Sequence, residues 1–465
     1  MRAMMGESFS PQRLDDEIRP RLTKDEALAE ANRCLNCYDA PCTRACPTSI
    51  DVPLFIKQIA SGNVSGSART ILSANILGLS CARVCPTEVL CEGACVLKDQ
   101  HRPIQIGPLQ RHATEHALAA SDPILVPIST PGHKRPGSVG IIGGGPAGLA
   151  CAAELLRHGV RAVVYEAAAK PGGLNTSGVA QYKLTPSDSL AEVEWLLRAG
   201  IDLRCGVRVG TDVSIAELEQ RHDALFIGIG MGGIPGVGLP GEELPGVWDA
   251  LDLIAALKAG DPEVLQAVRG ARVAVLGGGN TSIDVVTQAS RAGAKKTWLL
   301  YRRGRKDMSA YPHEVELALE HGSEILLHTT AARVVPSGSG ERAARAARIG
   351  GLEVTIRPPG EPEIQQVLPA DLVVRATGQK GAKLLSQLPV RTDGGTVVVD
   401  EWGRTSNPRY YAGGDCTSGG QEVVHAARDG KRAAQAILRD VLAKLEAGAA
   451  RAVEGGTGAA AAASV

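Results

Sequence analysis

The stretch SVGIIGGGPAGLACAAELLRHG, residues 138–159, decides how the chain is read. An apolar strand, SVGII (138–142), runs into a glycine loop, and the loop opens a helix, AGLACAAELLRHG. A second strand, RAVVYE, ends at Glu166 and completes the start of a βαβ unit. Gly143, Gly145 and Gly148 spell G-x-G-x-x-G at the mouth of the helix. The first glycine permits the tight turn, the second lets backbone approach a pyrophosphate, and the third lets helix and strand pack closely. The unpaired N–H groups at the helix start then face the phosphates. Glu166 follows Gly148 by 18 residues, at a strand end where a carboxylate accepts hydrogen bonds from a ribose diol.

The same grammar recurs near residue 271: strand ARVAVL, loop GGGNTS, helix IDVVTQASRAG, strand KTWLLYRR. Two such units in one chain imply two dinucleotide-binding domains. Two distant segments assign the first loop to FAD. Ala376-Thr377-Gly378 ends the apolar run DLVVRATG, and TSNPRYYAGGD, from Thr405 through Gly414 to Asp415, is similar to the closing motif of two-dinucleotide flavoproteins. There the aspartate bonds the ribityl chain, and the next helix N-terminus favours the anionic reduced flavin. The plainer alternative for Asp415 is a loop Asx turn. In the second loop, Gly277, Gly279 and Ser282 give G-x-G-x-x-S. Arg302 and Arg303 stand at the end of the following strand, where NAD-specific folds keep an acid. Guanidinium forks suit a 2′-phosphate, so NADPH is expected over NADH. A solvated basic loop is the alternative.

With 465 residues the chain is long enough for about three domains. Its 50 Lys and Arg balance its 50 Asp and Glu, and aromatics are 3%, so neither nucleic acid nor an anionic membrane is an expected partner. The N-terminal MRAMMGESFSPQR lacks the apolar core of a secretory signal. No uninterrupted apolar run reaches the roughly 20 residues that span a bilayer. The expected location is the cytosol, where thiols stay reduced.

Eight of the eleven cysteines lie between Cys34 and Cys95. Cys34, Cys37, Cys42 and Cys46 read C-x2-C-x4-C-x3-C-P; Cys81, Cys85, Cys91 and Cys95 read C-x3-C-P-x4-C-x3-C. Disulfides suit an oxidising compartment better than the cytosol. Four-cysteine zinc sites remain an alternative. Iron–sulfur clusters are favoured by the C-P pairs at Cys46 and Cys85 and by the two nucleotide folds that follow. Cys151, Cys205 and Cys416 are isolated, and the absence of C-x-x-C beyond the N-terminal region argues against a thioredoxin-reductase dithiol.

These residues carry a resemblance. From about residue 25 to the tail the chain resembles the NAD(P)H-accepting half of dihydropyrimidine dehydrogenase, as found in bacteria as a separate small subunit. It is similar, more distantly, to the small subunit of NADPH-dependent glutamate synthase. The stretches that carry it are CLNCYDAPCTRACPTSIDVPLFI, LGLSCARVCPTEVLCEGACVL, PIQIGPLQ, PGGLNTSGVAQYKL and AYPHEVELAL. The resemblance implies interleaved ligation: Cys34, Cys37, Cys42 and Cys95 on one 4Fe–4S cluster, and Cys46, Cys85 and Cys91 on a second. The second cluster's fourth ligand would be Gln110, otherwise an ordinary helix-surface residue, while Cys81 matches no ligand. Glutamate-synthase-like chains carry glutamate at that place. A neutral amide leaves less negative charge there and raises the cluster's potential. The resemblance also implies FAD contacts at Glu166, Gly173, Leu174 and Lys183, and nicotinamide-nucleotide contacts at Gly279, Asn280, Thr281, Arg302 and Arg303. Where the pyrimidine enzyme's loop continues with another arginine this chain has Ser309, which keeps NADH open.

The expected architecture is therefore α/β: a helical iron–sulfur domain (1–135) ahead of two Rossmann-like domains. FAD would bind to 136–254 and 373–446, and NAD(P) to 255–372; residues 447–465 read as a disordered Ala/Gly tail. The expected function is hydride transfer from NAD(P)H to FAD, followed by single-electron transfer through two 4Fe–4S clusters, with no side-chain acid or base required. A partner subunit carrying FMN and the pyrimidine site is expected, because no FMN barrel is visible in this chain. The rival readings are a glutamate synthase small subunit and a non-catalytic interaction subunit.

Overall fold

The computed structural model describes residues 14, 16–120, 137–338 and 348–445; the domain boundary expected at 135/136 and the Ala/Gly tail read from the sequence lie outside them. The described chain divides into two compact units. The larger takes residues 20–176, 187–231 and 381 onward. The smaller takes residues 177–186 and 232–380 together with the described residues before Pro20.

A five-stranded parallel sheet organises the larger unit, in the order Tyr410–Ala412, Ala224–Ile227, Ser138–Ile142, Arg161–Glu166, Asp202–Cys205. Its central strands are continuous apolar runs because both faces are covered; Val139, Ile141, Val164 and Phe226 are buried. Helix Pro146–Arg157 follows the first strand, and helix Val423–Ile437 packs against it. Gly430 permits that crossing, since a methyl group there would run into the Ala147 carbonyl.

Ahead of the sheet come helices Lys24–Ala31, Pro41–Ala45, Val52–Ala60, Val64–Ala74, Gly78–Val84 and Ile106–Ala120. Thr23 and Glu26 form a capping box at the start of the first of these. Asp51 and Asn63 cap the next two long helices by accepting from Leu54 and Gly66 N–H. These helices have no separate interior: Phe55, Ile71 and Leu109 join Val139, Leu149, Trp195 and Ala433 in one continuous core.

A second five-stranded parallel sheet lies in the smaller unit, ordered Val247–Asp249, Leu372–Arg375, Arg272–Leu276, Lys296–Leu300, Glu324–Leu326. An antiparallel sheet of Thr329–Pro336, Ile349–Ile356 and Ile364–Leu368 packs beside it. The boundaries differ from those read in the sequence. Leu372–Arg375 pairs in register with Val273–Leu276, so the break expected at 372/373 falls inside this sheet. Ala376, Thr377 and Gly378 consequently follow a strand of the second sheet, not of the FAD-binding domain in which the sequence places them. Among the described residues, no helix is long and apolar enough to cross a membrane.

Candidate functional site

The first glycine loop makes each of its three glycines answer a different demand. Gly143 has φ +105° and donates to the Tyr165 carbonyl at 2.8 Å. A side chain on Gly148 would collide with the Gly143 carbonyl. Gly145 differs: a Cβ there would meet only Gly173 Cα, at 3.8 Å, so the space in front of it stays open. Pro146 starts the helix, and Gly145 offers no side-chain cap, which leaves the first N–H groups for an anion.

Glu166 accepts from Gly144 N–H at 2.7 Å and Ala168 N–H at 2.6 Å, so its carboxylate ties the loop to the strand end. Gly172 donates to the Gly144 carbonyl at 2.8 Å, which seats Gly173 and Leu174 against the same loop. On the return from the distant strand, Gly414 (φ +75°) would place a Cβ 3.0 Å from that of Ala147. Asp415 accepts from Gln421 N–H at 3.0 Å; burial pushes its carboxyl above the ordinary value, and Asp429 adds to the push. Residues from 143 to 415 thus meet at the carboxyl ends of the strands of one sheet.

In the smaller unit, a side chain on Gly277 would strike the Ala376 carbonyl, whereas one on Gly279 would meet only Ser309 Oγ, at 3.3 Å. Asn280 opens the helix Asn280–Arg291, and its Oδ1 accepts from Tyr311 N–H at 3.0 Å; Thr281, half-buried, follows. Arg302 and Arg303 are exposed at the next strand's end, and neither makes an ion pair among the described residues. Arg303 lies 5.5 Å from the Tyr301 ring centre.

Lys183 belongs to this smaller unit. Its ammonium is buried between Asp284 and Glu314, 2.7 Å from each, and Tyr182 donates to Asp284 at 3.0 Å. Burial works against the charged lysine, but the two carboxylates outweigh it and hold its pKa above the ordinary value. The family resemblance implies only an FAD contact at Lys183; the buried cluster around it has no signal in local spacing.

The two cysteine blocks interleave. Cys34, Cys37, Cys42 and Cys95 line one hollow, walled by Pro41, Val52, Ile56 and Ile104. The chain turns tightly there, with Asn36 at φ 51° and Asp39 at φ 50°, a conformation asparagine and aspartate tolerate better than other side chains. Burial raises the Cys34 and Cys42 thiols, Cys42 to about 11, and Cys95 acts on both. A second group forms around Cys85, which is raised by the hydrogen bond its thiol donates to Cys81, by burial, and by Cys81, Cys91 and Cys46. Cys91 is raised by burial first and then by Glu92 and Cys46. Cys81 accepts from Asn75 Nδ2 at 3.1 Å. Gln110, buried, donates from Nε2 to the Gly78 carbonyl at 2.7 Å; of its side-chain atoms only the amide oxygen has a lone pair that could be offered to a metal. Among the described residues, no three His, Cys, Asp or Glu side chains converge closely enough to hold a single ion. Soft sulfur donors lining an apolar hollow from short turns fit a polynuclear centre.

Residues 12–121 match the family described as dihydropyrimidine dehydrogenase domain II, 4Fe-4S cluster, and residues 137–430 match the pyridine nucleotide-disulphide oxidoreductases. The chain belongs to the pyridine nucleotide-disulphide oxidoreductase family. This oxidoreductase is 33% identical over 425 residues to the NAD-dependent dihydropyrimidine dehydrogenase subunit PreT of Escherichia coli, covering 91% of this chain and 96% of that one. It is 32% identical over 449 residues to the glutamate synthase [NADPH] small chain of the same organism, covering 91% and 93%. The putative oxidoreductase AegA, also from E. coli, is 34% identical over 455 residues, covering 91% of this chain and 67% of that one.

Among solved structures, Mycobacterium tuberculosis FprA in complex with NADPH superposes with a TM-score of 0.51 at 19% identity, over 68% of this chain and 86% of that one. Thioredoxin reductase of T. acidophilum gives 0.52 at 21% identity, over 65% and 98%. Both likenesses show the α/β dinucleotide-binding fold. The oxidoreductase thus combines a 4Fe–4S region with flavin- and pyridine-nucleotide-binding folds.

Besides the lysine cluster, sequence reasoning missed Glu192, fully buried against the helix that leads to Cys85. Asp284 and Glu314 had a signal, since one follows the second glycine loop and the other lies in AYPHEVELAL. Glu192 had none.

Proposed function

We propose that the oxidoreductase oxidises NAD(P)H and delivers the electrons to a partner subunit that reduces uracil or thymine to the dihydropyrimidine. The observation that supports this most is the sorting of seven cysteines into two groups inside the unit that also holds the first glycine loop. We assign Cys34, Cys37, Cys42 and Cys95 to one centre, and Cys46, Cys85, Cys91 and Gln110 to the other. The bound cofactors supply acceptance of a hydride pair and its release as single electrons.

The chain's own residues hold and shield. Gly145, the bare helix start at Pro146 and the Gly173 loop cradle a pyrophosphate; Glu166 fixes the loop, and Asp415 is offered to the ribityl chain. Gly279, Asn280 and Thr281 receive the second nucleotide. The unpaired Arg302 and Arg303 favour its 2′-phosphate, so NADPH is expected to be preferred. Ala376 to Gly378 belong with this second loop. The apolar walls around Cys34 and Cys42 keep water from the sulfurs, and burial of the thiols ties metal loading to proton release. We place the reaction in the cytosol, where these thiols stay reduced.

The purified chain should reduce an artificial dye with NAD(P)H, and pyrimidine turnover should appear only when a partner is added. Uracil reduction by the single chain contradicts the proposal. The 32% identity to the glutamate synthase small chain supports a second reading, delivery to an amidotransferase partner. Glutamine-plus-2-oxoglutarate assays with candidate partners separate the two.

A further inference from the structure

Glu192 sits on helix Pro186–Arg198 with 1% of its surface exposed. Its Oε1 accepts from Leu79 N–H at 2.9 Å, and its carboxylate accepts from Ser80 N–H at 3.2 Å and from the Ser80 hydroxyl. Those groups open helix Gly78–Val84, whose N-cap Leu77 supplies no side-chain cap, so a carboxylate from far along the chain does the capping. The same helix carries Cys81 and ends on Cys85. At about 1.5 Å of rise per residue, the capped end stands roughly 8 Å from Cys85 along the axis.

Two opposed effects meet on this carboxylate. Burial disfavours its charge, while the Ser80 and Leu79 donors and the Arg83 guanidinium favour it; burial prevails and lifts the group to about 7. Arg83 is itself buried and paired with Asp188 at 2.6 Å. Of the other charged groups on helices packed against Gly78–Val84, Arg111 is paired with Glu115 and Arg428 with Asp429, so neither leaves an unbalanced charge on this carboxylate. Charge added at Cys85 therefore acts on Glu192 through a poorly polarisable interior with little to offset it.

We propose that Glu192 takes up one proton when the iron–sulfur centre around Cys85 takes up one electron, and releases it when the electron leaves. Charge balances within the step. One electron reaches the centre from the flavin side, one proton from solvent converts the carboxylate to the acid, and no other bond changes. The Ser80 hydroxyl, which donates to the charged form, can turn and accept from the protonated one. Glu192 is thus a positioning residue for charge, acting through the helix without touching a ligand. It keeps the potential of this centre high enough to receive the electron when the interior cannot screen it.

The inference rests on Cys46, Cys85 and Cys91 holding iron, so iron and acid-labile sulfide are measured first on the intact holoprotein. Their absence overturns the iron–sulfur reading itself. With iron present, each centre is titrated by EPR from about pH 6 to 9. The centre near Cys85 should have a pH-independent potential below about pH 7 and, above it, a reduction equilibrium that falls up to tenfold per pH unit, about 59 mV for one electron. The centre at Cys34 should stay level throughout. Glu192→Gln should abolish the slope, and Ser80→Ala, which removes a donor to the charged form, should move its onset to higher pH. Reduced-minus-oxidised infrared spectra of the wild type should show a protonated-carboxyl band appearing on reduction. A level wild-type potential, a slope that survives in Glu192→Gln, or no carboxyl band each overturns the inference and leaves the iron–sulfur reading standing.

Discussion

Gly145 and Gly148 sit three residues apart in one loop, yet alanine should harm the protein in opposite ways. At Gly148 a Cβ would stand 3.1 Å from the Gly143 carbonyl carbon and nearer still to its oxygen, with backbone on both sides unable to give way. Forcing a methyl into such a contact costs about 1–3 kcal/mol, which lowers the melting midpoint of a unit of this size by roughly 2–4 °C per kcal/mol. At Gly145 the nearest atom is 3.8 Å away and φ is −82°, which alanine adopts freely. Loss of glycine's unfolded-state freedom should leave Gly145→Ala equal to wild type or more stable by about 0.4–1 kcal/mol. The methyl does, however, fill the space where the pyrophosphate approaches. A clash of about 1–3 kcal/mol there weakens flavin binding by roughly 5- to 150-fold. The assay is bound flavin per chain after gel filtration, read beside thermal unfolding of flavin-stripped protein. Full flavin retention by Gly145→Ala, or an unchanged midpoint for Gly148→Ala, refutes the assignment of roles.

Lys183→Met should cost about 3–5 kcal/mol, since it strands Asp284 and Glu314 as uncompensated buried charges; adding Asp284→Asn and Glu314→Gln should recover most of it, with hydrogen exchange on helix Asn280–Arg291 as the readout. Replacing Arg302 and Arg303 by alanine should lower kcat/KM for NADPH about tenfold or more and leave that for NADH nearly unchanged; equal losses for both nucleotides count against a 2′-phosphate site. Iron and sulfide uptake by the stripped protein should slow as pH falls, because burial keeps the Cys34, Cys42 and Cys91 thiols protonated, as the hydrogen bond to Cys81 and then burial do for Cys85, and each must lose its proton to bind. Glu192, raised from 4.5 to about 7, contributes stability below about pH 4.5 that disappears as pH rises through 7. Denaturant midpoints of wild type should therefore fall relative to Glu192→Gln by the equivalent of about 3 kcal/mol between pH 4.5 and 8.

What could be read from the sequence was what short spacing encodes. Both glycine loops, the Thr23 capping box and the strand–helix–strand unit that opens on each glycine loop follow from residues within about 30 positions of one another. The register of Leu372–Arg375 does not. VVRATG reads equally well as the end of either sheet, and only its hydrogen bonds to Arg272–Leu276, about 100 positions earlier, decide the matter. Lys183 shows a similar limit: its partners Asp284 and Glu314 lie 101 and 131 residues away, too far for spacing to announce them. Glu192 is the extreme case, a helix cap supplied from 113 residues downstream of Leu79. In ordinary sequence terms it is one acidic residue on an amphipathic helix.

The single interior shared by the N-terminal helices and the first parallel sheet bears on how such a chain can be cut or rearranged. A gene split in the connector between residues 120 and 137 would yield two fragments, each with a bare oily face, that must find one another again before either survives. The front segment is therefore not a detachable cassette. Transplanting it onto another reductase would require the seam around Phe55, Leu109 and Ala433 to travel with it.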